Sequence, residues 1–200
     1  MSSPYRVSCL VSPNGTREVQ SFVAARYVSR YDTAPPLADI YSVVWRGDEI
    51  VACMGLEFAG PDGRFQIERV HMVRRTEGLD PPLTVATCVQ LSRWVSLPGN
   101  ENAGVLAPYA AVAYAMQTGR MHAYAEHDAG VHALCVRILR IEFHELDRGG
   151  LDISYLREAA HREFYTRGLL KPYRVSLPQM RDALAARLAK LGVEIPEHRA

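Results

Sequence analysis

The residues equipped for chemistry gather around the apolar run Val85-Ala-Thr-Cys-Val-Gln-Leu-Ser-Arg-Trp-Val95, which ends in an adjacent serine and arginine, Ser92 and Arg93. A guanidinium can clamp a carboxylate or a phosphate through paired N–H donors, and a hydroxyl can donate to a carbonyl oxygen. The same two side chains also suit a surface ion pair and a loop cap. Two carboxylates, Glu68 and Glu126, stand in neighbouring elements. A positioned carboxylate can take a proton, and an unpositioned one is simply solvated. The run reads as a buried strand. A loop, Leu97–Gly104, follows it, and then an apolar helix from about Val105 to Thr118. Many α/β proteins seat a ligand where a strand feeds a helix in this way. A phosphate-cradling loop would carry closely repeated glycines there. Here Gly99 and Gly104 are far apart, with Glu101 between them, so the chain has a cleft architecture without the usual phosphate grip.

The flanking elements follow from periodicity. Thr16 can cap a helix with Val19, Phe22, Val23 and Tyr27 on one face, which Pro35-Pro36 must end. Ile40–Trp45 and Glu49–Phe58 are two arms of a hairpin around Arg46-Gly47-Asp48. Arg64–His71 alternates, with Phe65 and Ile67 on one face and Gln66 and Glu68 on the other, and reads as a third strand pairing with Val85–Val95. These four strands form an antiparallel meander. Beyond the helix, Gly119 is a suitable C′ residue and Arg120–Glu126 a strand. Asp128 caps a helix with Val131, Leu134, Cys135 and Ile138 on one face, and Glu142–Asp147 is a short strand. This alternation predicts a mixed or parallel second half. A last strand lies in Lys171–Leu177. Ser176, Pro178 and Gln179 then open a helix with Leu184, Leu188 and Leu191 on one face that ends at Gly192. The expected division is a domain over residues 1–177 and a helical tail over 178–200.

Bulk properties limit the function classes. At 200 residues, 48% hydrophobic and 22% charged, the chain is of ordinary globular composition. A net charge of +1 gives no argument for nucleic acid or an anionic membrane. No apolar run approaches the roughly 20 residues needed to span a bilayer, and the N-terminus lacks a signal-peptide core. Cys9, Cys53, Cys88 and Cys135 are scattered, as expected of reduced thiols in a cytoplasmic protein. His122, His127 and His132 recur at a spacing that suits neither helical nor strand ligands, so no metal is expected. No G-x-S-x-G elbow is present, and His144-Glu145 is not part of H-E-x-x-H.

The element order, with Gln90-Leu-Ser-Arg-Trp94 and Asp48-Glu-Ile-Val-Ala-Cys53, resembles the GNAT acyltransferase superfamily, and within it the autoinducer (acyl-homoserine-lactone) synthases and N-acyl amino acid synthases. Phe22–Tyr27, Ile50–Ala59 and Phe65–Val70 are also similar to the thermostable-hemolysin family. The likeness covers roughly residues 17–147. It implies an α/β (α+β) fold with a GNAT-like mixed, mostly antiparallel central sheet flanked by helices. Three departures stand out. Gln90 replaces the glutamate of the Glu-x-Ser-Arg-aromatic signature, and an amide cannot take a proton. Leu56-Glu57 sits roughly where those synthases carry an arginine. The glutamine/arginine-x-x-glycine-x-glycine loop of acetyl-CoA-dependent members is missing.

The resemblance implies an N-acyltransferase moving an acyl group from an acyl-carrier-protein or acyl-CoA thioester to a small amine such as an amino acid, with no bound cofactor. Amide formation from a thioester needs a free amine, a polarised carbonyl and a dry acyl channel. Glu68 is then the expected base, and Ser92 the donor to the thioester carbonyl. Gln90, Arg93, Trp94, Tyr124 and Glu126 are the expected substrate-binding residues. Arg93 would clamp an acceptor carboxylate or a carrier phosphate, and Arg74 and Arg75 could meet an acidic carrier protein. The alternative is a non-catalytic GNAT-like module that binds an acyl ligand or a partner in a biosynthetic cluster. An open tunnel between the Val85–Val95 and Arg120–Glu126 strands would favour the enzyme, and a plugged cleft the module.

Overall fold

The computed structural model describes residues 4–11, 17–73, 83–154, 156, 159–167 and 170–195. Its elements are β1 (Tyr5–Val11), α1 (Arg17–Tyr31), β2 (Ile40–Arg46), β3 (Glu49–Glu57), α2 (Gln66–Val70), β4 (Cys88–Ser96), α3 (Glu101–Gln117), β5 (His122–His127), α4 (Ala129–Ala133), β6 (His144–Glu145), α5 (Ala159–Thr166), β7 (Lys171–Ser176) and α6 (Leu177–Lys190). A π-helical turn, Leu134–Leu139, continues α4. The strands form one sheet in the order β1-β2-β3-β4-β5-β7-β6. Every pairing is antiparallel except β4 with β5, which are parallel and joined through α3.

Alternation along the strands divides the core between two faces. Ala52, Met54 and Leu56 of β3, with Val89 and Leu91 of β4, pack under α3 and α6. Tyr41, Val43 and Cys53 pack with Val19 and Val23 of α1 on the other face. That second face also carries α2, through Phe65 and Tyr124, and α5, through Tyr165. The Val19/Val23 face of α1 is as expected, while Thr16 lies outside the described residues. Helix α6 buries Leu177, Met180, Leu184 and Leu188 and joins the largest core cluster.

The first four strands, β1 to β4, do form an antiparallel meander, but one of them is β1 rather than residues 64–71. That segment is helical. In a stretch so short, the side-chain pattern fits either structure, and local hydrogen bonds decide. The Glu68 carboxylate accepts the Phe65 N–H at 2.8 Å, and Gln90 Oε1 accepts the Ile67 N–H at 3.0 Å. Two of the N–H groups that a helix start leaves without intrahelical partners are thereby satisfied. Glu68 is consequently 2% exposed, not on a polar face opposite Ile67.

Other boundaries also moved for local reasons. Helix α3 starts at Glu101, four residues ahead of the expected Val105. Pro108 in its interior removes the donor that would bond Gly104, and the Trp94 indole N–H bonds that carbonyl instead, at 2.8 Å. The π-helical turn rotates the chain, so Cys135 and Leu139 face inward while Leu134 and Ile138 are exposed. Asp128 does cap α4, accepting from the Val131 N–H at 2.9 Å. Ser176 makes no side-chain cap to α6. The Leu177 N–H goes to the Met121 carbonyl at 3.0 Å, and Pro178 has no donor to satisfy.

Candidate active site

The sheet opens where its one parallel pair ends. The β4–β5 ladder runs from Cys88/His122 to Leu91/Ala125 and stops, although β4 continues to Ser96 and β5 to His127. A bulge causes the divergence. Against β3, Gly55 pairs with Ser92 and Cys53 with Val95, so Arg93 and Trp94 oppose Met54 alone. Arg93 takes the left-handed conformation, φ 51°. The bulge turns its side chain onto the face that carries Gln90 and Ser92.

A polar network fills that face. The Arg93 guanidinium donates from Nη1 to Glu57 Oε1 and Ser92 Oγ, and from Nε to the Pro36 carbonyl. Its side chain is 4% exposed and that of Glu57 14%. Burial acts to lower the Arg93 pKa, but the Glu57 carboxylate opposes it and the net direction is upward. Arg93 is therefore a permanent cation with an internal counter-ion. Glu57 is the cross-strand partner of Gln90, whose amide Nε2 lies 3.5 Å from Glu57 Oε1.

Across the gap, β5 supplies a second group. Glu126 Oε2 lies 3.0 Å from His71 Nε2, and Glu126 Oε1 accepts from the Tyr165 hydroxyl. Tyr165 also receives a bond from Gln66 Nε2 at 3.1 Å. Burial first, and the Glu126 carboxylate second, push the Tyr165 pKa well up. Burial raises that of Tyr27 despite Arg93 nearby. Both phenols are neutral throughout the ordinary pH range, and Tyr165 keeps its proton to donate to Glu126. His71 is 1% exposed, and among the described residues its Nδ1 has no hydrogen-bond partner.

Six of the seven expected residues thus share one face: Glu68, Gln90, Ser92, Arg93, Tyr124 and Glu126. Glu68 is spent on α2, one oxygen on the Phe65 amide and the other 3.4 Å from the Tyr124 hydroxyl. Tyr124 packs edge-on to Phe65, ring centroids 5.4 Å apart. Trp94 points to the opposite face, against α3. His71, Tyr165 and the pairing role of Glu57 had no sequence signal. Glu57 was visible only as a departure from a family pattern, and the arginines and acids of residues 156–167, around Tyr165, suggest only a solvated face. Arg74 and Arg75 lie outside the described residues.

Among the described residues, no group of three or more histidine, cysteine, aspartate or glutamate side chains could hold a metal ion. At the start of α3, Glu101 occupies the first turn, where its negative charge would disfavour a phosphate. No described helix is long and apolar enough to cross a membrane.

No protein-family model matches this sequence, and no curated protein matches it. The fold, however, is that of the acyl-homoserine lactone synthases and of GNAT-type N-acetyltransferases. The AHL synthase LasI superposes with a TM-score of 0.61 at 14% identity, over 99% of this chain and 100% of that one. The CoA-dependent acyl-homoserine lactone synthase BjaI, in a structure with SAM and isopentyl-CoA, gives 0.62 at 12% identity, over 92% of this chain and 90% of its own. A protein from Lactobacillus plantarum described as an N-acetyltransferase gives 0.52 at 13%, over 86% and 98%. The mostly antiparallel sheet with its single parallel pair is the fold that the sequence resemblance implied.

Proposed function

We propose that the protein is an N-acyltransferase that moves an acyl group from a CoA or carrier-protein thioester to a small amine. The observation that carries this reading is the gap between β4 and β5, with a bulge on one side and a held carboxylate, Glu126, on the other. The thioester carbonyl would enter at the bulge, where β4 backbone groups past Leu91 have no ladder partner on β5 and can meet a developing oxyanion. The amine nitrogen attacks the carbonyl carbon, the C–S bond breaks, and the thiolate leaves. Glu126 accepts the amine proton, with His71 and Tyr165 fixing its two oxygens, and the proton returns to the departing sulfur. We assign this role to Glu126 rather than Glu68 because Glu126 stands on β5 past the end of the β4–β5 ladder with its side chain 12% exposed, whereas Glu68 is 2% exposed and holds the start of α2. Ser92 and Gln90 then position Arg93 and α2, and Trp94 braces β4 against α3.

The non-catalytic alternative draws on the filling of the same gap. Arg93, Tyr165 and His71 are buried there, and the Tyr31 and Phe164 rings of α1 and α5 meet above it, centroids 5.1 Å apart. Release of free thiol from acyl-CoA and acyl-carrier-protein donors separates the two. An enzyme releases thiol in proportion to added amine, and Glu126→Gln abolishes that release. A binding module releases none, while acyl ligands still raise its melting temperature.

A further inference from the structure

Between β6 and β7 the chain leaves the sheet and returns to the strand beside the one it left, since β6 pairs antiparallel with β7. The two ends of this excursion are tied together. The Leu146 N–H bonds the Pro172 carbonyl at 3.0 Å, and the Arg148 guanidinium donates to the Leu170 carbonyl. A segment closed at its base in this way can swing without disturbing a strand of the sheet. Gly149 and Gly150 stand just beyond the base, Gly150 at φ 154°, a conformation that strains other residues. The excursion carries α5. Among the described residues its apolar contacts form a small cluster, Leu156, Tyr165 and Leu170 with Val70 of α2, apart from the clusters that hold α1, α3 and α6. A satellite cluster of this size opens at lower cost than helices anchored in the main core. Helix α5 is also held by Tyr165 on Glu126, by Gln66 on Tyr165, by His161 on the Ala34 carbonyl and by the Tyr31 ring against Phe164. With Tyr165 on one oxygen of Glu126 and Phe164 against Tyr31, α5 covers that carboxylate, whose side chain is 12% exposed. An amine reaches Glu126 when this cover lifts.

We infer that α5 is a lid over the acceptor side of the gap, which swings out on the Gly149-Gly150 hinge to admit the amine and on closing sets the Tyr165 hydroxyl on Glu126. The acceptor role of the lid rests on the acyl-transfer reading above, whereas its hinged motion does not. Closure does two things. It completes the base, because the Tyr165 hydroxyl is one of the two groups that fix the Glu126 oxygens. It also keeps out water, which would otherwise take the acyl group. The filled gap is then the closed state of the site.

Two measurements on the full-length protein test the lid. Native-state hydrogen exchange of the wild type should show α5 opening apart from the rest of the fold, its amides protected roughly 100-fold or more below those of α3 and α6. Exchange of all three helices at one rate would overturn the inference. The second measurement locks the lid reversibly. Tyr31→Cys and Phe164→Cys are combined and joined by a bifunctional methanethiosulfonate, and the wild type, with its own free cysteines, is treated alike. Relative to that control, the locked protein should form amide at least roughly tenfold more slowly, and reduction should restore the rate. A lock that leaves the rate unchanged would overturn the lid. If the double variant does not fold, the exchange measurement decides. Absence of amide from the untreated wild type, with every donor, overturns the acyl-transfer reading instead, and the exchange measurement then decides the hinged motion by itself.

Discussion

Gly55 offers a direct way to disturb the site without touching a charged group. It lies opposite Ser92 on β3, and a methyl there would stand 2.8 Å from Ala38 Cβ, 3.0 Å from Ser92 Oγ and 3.3 Å from the Ser92 carbonyl. Ser92 Oγ yields only by giving up its bond from Arg93. Ala38 Cβ is fixed to its backbone, so the Pro36–Ala38 segment must lift, and that segment carries the carbonyl bonded by Arg93 Nε. Overpacking of this kind costs about 1–3 kcal/mol. At about 2–4 °C per kcal/mol for a domain of this size, Gly55→Ala should lower Tm by roughly 2–12 °C. Misplacing the β4 bulge should also cut acyl-transfer turnover by roughly 10–100-fold. Gly47→Ala is the control. Gly47 has φ 62° in the β2–β3 turn with open space around it, so alanine there strains the backbone by about 1–2 kcal/mol and leaves turnover intact. Calorimetric melts and amide formation, measured on both variants, check the argument. A Gly55→Ala protein that melts with the wild type and turns over at its rate would refute it.

Three more predictions follow from the geometry. Leu184 is fully buried in α6, so Leu184→Ala should cost about 2–5 kcal/mol in urea unfolding; a loss under about 0.5 kcal/mol would mean that residues 178–200 behave as a tail. Tyr165→Phe removes the hydroxyl from Glu126 and should lower kcat roughly tenfold while the protein still melts cooperatively; an unchanged kcat would remove Tyr165 from the site. His127 stacks on Tyr173, centroids 4.3 Å apart, and its Nε2 lies 3.1 Å from His132 Nδ1. Burial, then the nearby His132, lowers its pKa from 6.5 to about 4. Between those values the unfolded chain takes up a proton that the native state refuses, so stability is complete above about pH 6.5 and falls toward pH 4, by up to about 3 kcal/mol. His127→Gln should flatten the urea midpoint over that window, and a slope equal to the wild type's would assign the acid sensitivity elsewhere.

The sequence reading reached what periodicity controls. The β2–β3 hairpin, the β4–α3–β5 crossover and the Val19/Val23 face of α1 each follow from apolar spacing with turn residues at the right offsets. It missed what non-local partners control. Residues 64–71 alternate like a strand, but Gln90, 23 residues downstream, caps Ile67 and makes that start helical. Edge strand β1 lay in the unread N-terminus. At the site, Ser92, Arg93 and Glu126 were recognisable by residue type and by their place at strand ends. Their partners were not: His71 and Tyr165 reach Glu126 across 55 and 39 residues. The inward turn of Arg93 depends on a bulge, and no local pattern in the Gln90–Trp94 stretch announces one.

The most direct test of the central claim is mass spectrometry of the reaction mixture after purified protein is incubated with an acyl thioester and small amines. Acyl transfer predicts a product with the mass of the free carboxylic acid plus the amine less one water, together with free thiol in equal amount, and loss of both in Glu126→Gln. Thioester that stays intact across CoA and carrier-protein donors, or that yields only the free acid, would contradict it.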